Sequence, residues 1–236
     1  VIITKKTLIS EIPTTTSYNL IFANTNEPLE VYSIEKLLFE SDLEEMWLVK
    51  HKTTFLFRTM KVVKLSVYKS IIKNSTDLLK FLDHPNIAKI YEYFHINEKL
   101  YIIQDYFKED ILTCYIRNKQ LSEIQAAFII FQILSAVYYS HCINVFHLDL
   151  KPDNILIENI VNDELVYIKI MGFGFSQIAG KELNRFEEKN LTNLHYISPE
   201  GLQNKFSTSS DVWTIGVMLY QFLSGEFPYT GEDQSE

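Results

Sequence analysis

At 236 residues, with 47% apolar and 22% charged side chains, the chain is long enough to bury a substantial core, and wholesale disorder is excluded. Thirty acidic against 22 basic residues leave a net charge of −8, which excludes a general binder of nucleic-acid backbones, since that task needs a basic surface. Two cysteines, Cys114 and Cys142, exclude a disulfide scaffold and a four-thiolate zinc site, and they fit a reducing, intracellular compartment.

Residues 1–31 mix short apolar runs with Thr, Asn and Pro and are read as an N-terminal extension without assigned structure. The β-forming run Phe55–Val63 closes a stretch, 32–63, that reads as strands separated by turns. Residues 66–82 carry helical spacing through Val67, Ile71, Leu78, Leu79 and Leu82, and Asp83-His84-Pro85-Asn86 ends that helix because proline cannot continue it. Ile87–Phe94 and Leu100–Asp105 read as two more strands. Ser122 with Gln125 fits an N-cap and its N3 partner, so a helix is expected from about 121 to Cys142. Its longest strictly apolar run, Ala126–Phe131, is far short of the roughly 20 residues a membrane span needs, and it reads as a buried core helix. Asn154–Ile157 and Val166–Met171 read as short strands. Asp211–Phe222 reads as a second apolar helix, with Gly225 placed to stop it. Strands, one helix, strands, then mostly helices describe an α+β fold of two lobes, a small antiparallel-sheet lobe over 32–106 and a mostly helical lobe over 107–236. Val1 is not followed by a basic-then-apolar leader, so no signal peptide is expected.

The chemistry concentrates in His147-Leu148-Asp149-Leu150-Lys151-Pro152-Asp153-Asn154, a loop between a long helix and a short strand. Phosphoryl transfer needs a carboxylate, an ammonium and an amide, and this loop supplies all three. Asp149 can accept the proton of an attacking hydroxyl, Lys151 can neutralise charge on the moving phosphoryl group, and Asn154 can offer a carbonyl oxygen to a metal. All seven glycines lie at or after Gly172, so no glycine-rich phosphate cradle exists in the first 171 residues.

With these residues the chain resembles the eukaryotic protein kinase family. Further motifs follow in the family's order. Thr59-Met60-Lys61 resembles the strand lysine motif, Leu82–Ile87 the link after the family's C-helix, and Gly172-Phe173-Gly174 stands where the metal-binding Asp-Phe-Gly belongs. Ser198-Pro199-Glu200 resembles the end of the activation segment, and Asp211–Gly216 the start of the helix that anchors the large lobe. Leu82–Ile87, the Ser122–Phe128 helix start and Phe227-Pro228 look most like the calcium/calmodulin-dependent and calcium-dependent subgroup. The resemblance implies catalytic positions at Asp149, Lys151 and Asn154. It implies a nucleotide site from Lys61, Thr59, Met46, Leu156, a gatekeeper at Gln104 and a hinge through Asp105 and Phe107. It also implies a stacked spine of Leu79, Ile90, His147 and Phe173 anchored by Asp211.

The departures fall in the chemistry. The family's glycine-loop positions land on Phe39, Ser41 and Glu44, where side chains fill the space in which backbone N–H groups approach phosphates. The helix glutamate that pairs with the strand lysine lands on Ser75. Asp77, two positions on, does not share its face, so Lys61 is expected to lack a carboxylate partner from that helix and reads either as nucleotide-facing or as an exposed strand lysine. The metal-binding aspartate is Gly172. Leu148 replaces the arginine that pairs with a phosphorylated activation loop, so phosphorylation between Gly172 and Glu200 is expected to leave that segment's conformation unchanged. Glu200 is expected to need an arginine beyond Glu236 as partner.

These features lead to the expectation of a pseudokinase: a binding or regulatory module for a protein partner, taking ATP weakly or without metal, holding no Mg²⁺ tightly, and assigned no metal ligand. Binding of nucleic acid and a membrane span are not expected, and a cytoplasmic location is. The rival is an active Ser/Thr kinase with an altered metal scheme. A third reading is a nucleotide-binding regulator without transfer.

Overall fold

β1 (Phe22–Asn24), β2 (Tyr32–Glu40), β3 (Glu44–His51), β4 (Phe57–Lys64), β5 (Ile90–Ile96) and β6 (Lys99–Gln104) form one six-stranded sheet, in the spatial order β1-β5-β6-β4-β3-β2. The computed structural model describes residues 22–41, 44–64, 82–107, 111–118, 120–173, 194–203 and 205–229. The helical reading of 66–82, with Leu79, Ser75 and Asp77, lies outside the described residues except for its last residue, the buried Leu82, as do Gly174 and most of the segment between Gly172 and Glu200.

Residues 22–31, to which the sequence reading assigns no structure, contribute a strand and a helical turn. β1 pairs in parallel with β5, Phe22 opposite Glu92 and Asn24 opposite Phe94. A single helical turn, α1 (Pro28–Val31), then leads into β2 with Pro28 buried. Three residues of parallel pairing are a weak hold, and side chains reinforce it. Glu92 accepts hydrogen bonds from Asn24 Nδ2 (2.8 Å) and from the Tyr32 hydroxyl (2.5 Å). Burial, and next the bond to Glu92, push the Tyr32 phenol far above its usual range. Replacing Glu92 with Ala is expected to cost about 2 kcal/mol, the scale of hydrogen bonds to a charged group. The check is amide hydrogen exchange, which should speed up across residues 22–24 and leave β3 and β4 unchanged.

Alternation along β4 separates two faces. Met60 and Val62 turn into one buried cluster with Tyr32, Val49, Phe94 and Ile103. Thr59 and Lys61 turn to the other face, where Thr59 pairs with Gln104 of β6 and Lys61 with Met46 of β3. The β5–β6 turn is closed by Asn97 and Glu98, both at positive φ (47° and 60°), the two-residue geometry that matches strand twist.

The second lobe contains α2 (Leu112–Asn118), α3 (Glu123–Cys142), the hairpin β7 (Ile155–Val161) and β8 (Leu165–Ile170), the short α4 (Pro199–Leu202) and α5 (Thr208–Ser224). α3 starts as the sequence indicates. Ser122 Oγ accepts from the Gln125 amide and the Gln125 side chain accepts from the Ser122 amide. Its buried positions, including Ala126, Ile129, Ile133 and Ala136, recur at helical spacing. α3 is long and apolar enough to cross a membrane by composition, and half of the relevant window is buried inside the protein, as in a core helix. α5 ends at Gly225 with φ of 79°, the left-handed conformation that glycine adopts without a Cβ penalty.

The two short strands expected at 154–157 and 166–171 extend into a full hairpin, turned at Asn162 and Asp163. Gln132 of α3, buried among apolar side chains, reaches the outer edge of β8: its Nε2 donates to the Val166 carbonyl (2.8 Å) and its Oε1 accepts from the Ile168 amide (3.0 Å). Further along that edge, Asn86 Nδ2 donates to the Ile168 carbonyl, the Ile170 amide donates to the Asn86 carbonyl, and the Ala88 amide donates to the Ile170 carbonyl. The segment expected as a strand from Ile87 therefore pairs first with β8 and enters the sheet as β5 only at Ile90.

Candidate active site

The loop His147–Asn154 is held from beneath by Asp211, 1% exposed, in the first turn of α5. Asp211 accepts from the backbone N–H of His147 (3.0 Å) and of Leu148 (2.7 Å), and it bonds His141 Nε2 at 2.8 Å. Burial alone would raise its carboxyl. The His141 bond, the charge of His147 and the two amides outweigh burial and hold the carboxyl below the usual range. The bond from Leu148 pins a backbone at φ of 61°, a region that costs a non-glycine residue about 1–2 kcal/mol. His147 is fully buried, bonds the Met171 carbonyl through Nε2 (2.8 Å) and meets the Phe173 ring edge-on at 4.7 Å. Ile90 and Phe173 share one buried cluster. Three of the four expected spine side chains and their anchor thus lie in the core, and Leu79 is outside the described residues.

On this base the three chemical groups converge. Lys151 Nζ lies 3.2 Å from Asp149 Oδ1, and Asn154 Nδ2 donates to Asp149 Oδ2 (3.1 Å) and to the Asp149 carbonyl (2.7 Å). A single 3-10 turn, Pro152–Asn154, curls Asn154 back toward Asp149, closed by the Asn154 amide donating to the Lys151 carbonyl. The Asp149 side chain is half exposed, at 49%, so the carboxylate can meet a ligand from solvent. This arrangement can orient a carboxylate and a cation toward one hydroxyl-bearing ligand. At the neighbouring Gly172, φ is 89°, and a Cβ built there would sit 3.6 Å from His147 Cε1 and 3.7 Å from Nε2, ordinary contact distances. Glycine contributes no side-chain donor, and among the described residues no three His, Cys, Asp or Glu side chains gather as a metal cluster.

Across the cleft, Thr59 and Gln104 are buried and paired, and Gln104 Nε2 lies 3.5 Å from Met171 Sδ. Leu156 and Met171 form a small cluster with Ala88, against which Phe107 and Ile111 pack. Met46 stands beside Lys61. The side chain of Asp105 turns to β5: its carboxylate accepts from the Lys89 amide (2.9 Å) and from the Tyr91 hydroxyl (2.6 Å). Burial, and then the bond to Asp105, push the Tyr91 phenol up to about 12. Asp105 is thus tied to β5 at the position expected for the hinge, and its own amide donates to the Lys89 carbonyl (2.9 Å). A cavity of about 350 Å³ lies along this outer side of the hinge, lined by His84, Lys89, Tyr91, Asp105, Phe107 and Lys169 among others. It includes none of Lys61, Asp149, Lys151 and Asn154, so it is separate from the site of chemistry.

Two further expectations change. Lys61 is not an exposed strand lysine, and it has a carboxylate partner in the sheet. Its side chain is 14% exposed and its Nζ pairs with Glu44 Oε2 at 2.5 Å. Glu44 comes from β3, at one of the glycine-loop positions. The signal was present in the strand pattern: Met46 opposes Lys61, and Glu44, two residues on, is its diagonal neighbour on the same face. Glu200 is not an isolated buried carboxylate. It is partly exposed, Ser210 Oγ donates to it at 3.2 Å, and its own amide first, then Ser198 and Ser210, hold its carboxyl below the usual range.

Comparison with known proteins bears on the same residues. The protein kinase domain family matches residues 44–236. Calcium-dependent protein kinase 4 of Plasmodium falciparum (isolate 3D7) is 37% identical over 211 residues, 87% of this chain and 39% of that protein. Calcium-dependent protein kinase 5 of the same organism is 33% identical over 222 residues, 92% of this chain and 38% of that protein. Serine/threonine-protein kinase dkf-2 of Caenorhabditis briggsae is 31% identical over 166 residues, 69% of this chain and 14% of that protein. The chain spans about two-fifths of the length of the calcium-dependent kinases it matches. With the family match running from Glu44 to the last residue, through the converged Asp149, Lys151 and Asn154, the chain belongs to the protein kinase domain family.

Proposed function

We propose that this kinase domain is a pseudokinase: it occupies its cleft with a nucleotide-class ligand, weakly and without metal, and acts by presenting its surface to a protein partner inside the cell. The observation that carries this reading is Gly172, which stands at the family's metal-ligand position with no donor to offer. Asn154 offers a metal only one neutral carbonyl oxygen, its nitrogen donating to Asp149, and Asp149 is bonded to Lys151. These residues do not fit a tightly held Mg²⁺. Metal stabilisation of a phosphoryl transition state is worth several kcal/mol, and loss of about 4 kcal/mol would slow transfer by about three decades.

A second reading, an active Ser/Thr kinase, is favoured by the intact Asp149–Lys151–Asn154 geometry. One pair of measurements separates them. ATP affinity measured in EDTA and in Mg²⁺ should agree within about threefold, a difference well under 1.4 kcal/mol. A basic peptide with Mg·ATP should show no turnover. Turnover near 1 s⁻¹, the low end of about 1–100 s⁻¹ for kinases, abolished by Asp149→Asn, would establish the active kinase instead.

A further inference from the structure

The strand lysine of this cleft already holds a negative group. Glu44 Oε2 contacts Lys61 Nζ from the strand that faces it, and Lys61 is largely withdrawn from water. Glu44 is not a chance neighbour on a loose loop. Its amide donates to Ser41 Oγ (3.1 Å), and its carbonyl accepts from the Ser41 amide (2.8 Å), so its backbone is held at the start of β3. We infer that Glu44 stands in for the phosphates of a ligand, so that the cleft selects an uncharged adenosine-class nucleoside over ATP. This rests on the pseudokinase reading and adds the ligand class to it.

Two physical points support the selection. An anion entering beside Lys61 must either displace Glu44, exchanging one ion pair for another at the cost of stripping water from the phosphates, or lie next to a second negative charge. Asp149 is a further carboxylate of the candidate site, already satisfied by Lys151 and Asn154. The groups suited to a base and sugar remain. Thr59 and Gln104 are buried polar side chains, and Leu156 and Met46 supply apolar faces. A ligand without phosphates meets these and leaves the Glu44–Lys61 pair intact.

The test is calorimetric titration of the chain, native and as Glu44→Gln and Glu44→Gln/Lys61→Met, with adenosine and with ATP, all in EDTA. The native chain should bind adenosine at least as tightly as ATP. Glu44→Gln should tighten ATP by about tenfold or more, the size of one charge-assisted contact regained, and leave adenosine within about threefold. Adding Lys61→Met should return ATP to its native affinity. Should Glu44→Gln fail to fold, Glu44→Ala serves: it breaks the same pair, and the ratio of ATP to adenosine affinity should rise by about tenfold. Tighter native binding of ATP than of adenosine, an unchanged ratio in Glu44→Gln or Glu44→Ala, or binding of neither ligand would each overturn the inference. Peptide phosphorylation by the native chain would instead overturn the pseudokinase reading, and it is read in a separate assay.

Discussion

Asp211→Ala is expected to be the most damaging single substitution in the described structure. It strands two backbone amides, those of His147 and Leu148, and the His141 ring nitrogen, all of which now bond one buried carboxylate. Each unsatisfied buried donor costs about 1–3 kcal/mol, and because the three share a site the expected total is about 4 kcal/mol rather than their sum. With a urea slope of about 2 kcal/mol per molar, the midpoint should fall by about 2 M. Asp211→Asn keeps one acceptor oxygen but turns an amide NH₂ toward donors, and should fall between the two. The effect has a defined pH dependence. The carboxyl of Asp211 is lowered in the folded chain, so its contribution is complete above the unfolded carboxyl value of about 3.9 and is lost as pH falls through the lower, folded value. The midpoints of native and Asp211→Ala chains should therefore stay separated from pH 7 to 5 and converge only at more acid pH. A gap that closes near neutrality would mean that the Asp211 carboxyl does not carry the stabilisation.

Restoring the metal ligand is expected to give the largest functional change. Gly172→Asp meets ordinary contact distances at His147, so space is not the obstacle. The obstacle is the backbone, at φ of 89°, which should cost about 1 kcal/mol and about 2–4 °C in melting temperature for a chain of this size. On its own the new carboxylate would still face a Lys61 held by Glu44. The informative protein is Gly172→Asp/Glu44→Gln, which should bind ATP about tenfold or more tighter in Mg²⁺ than in EDTA, unlike the native chain. Equal affinities in the two media would show that Gly172 is not what the site lacks. Adding Asp149→Asn to this protein should leave binding in place and remove any phosphate transfer, if Asp149 takes the proton of the attacking hydroxyl as proposed.

Local signals were legible in the sequence. The Ser122–Gln125 cap, the stop at Gly225 and the crowded loop His147–Asn154 are each set by residues a few positions apart, and each forms as read. What escaped depends on distant pairing. β1 is three residues long and finds its parallel partner about 70 positions away, so no periodicity announces it. The Glu44–Lys61 pair needs the β3–β4 register, which only the folded sheet fixes. Asp105 occupies the expected hinge, but the strand order that brings Tyr91 and Lys89 to its carboxylate is not encoded in the hinge itself.

The outer rim of β8 carries one last consequence. A two-stranded ribbon ordinarily leaves a row of peptide groups open to any passing strand, and that is how sheets recruit neighbours and chains aggregate. Here Gln132 presents an amide in the place of a third strand's peptide, and Asn86 with Ala88 completes the row from Val166 to Ile170. The ribbon is closed to intermolecular pairing along that row without lengthening the sheet, so part of this domain's solubility resides in a glutamine at the centre of its most apolar helix.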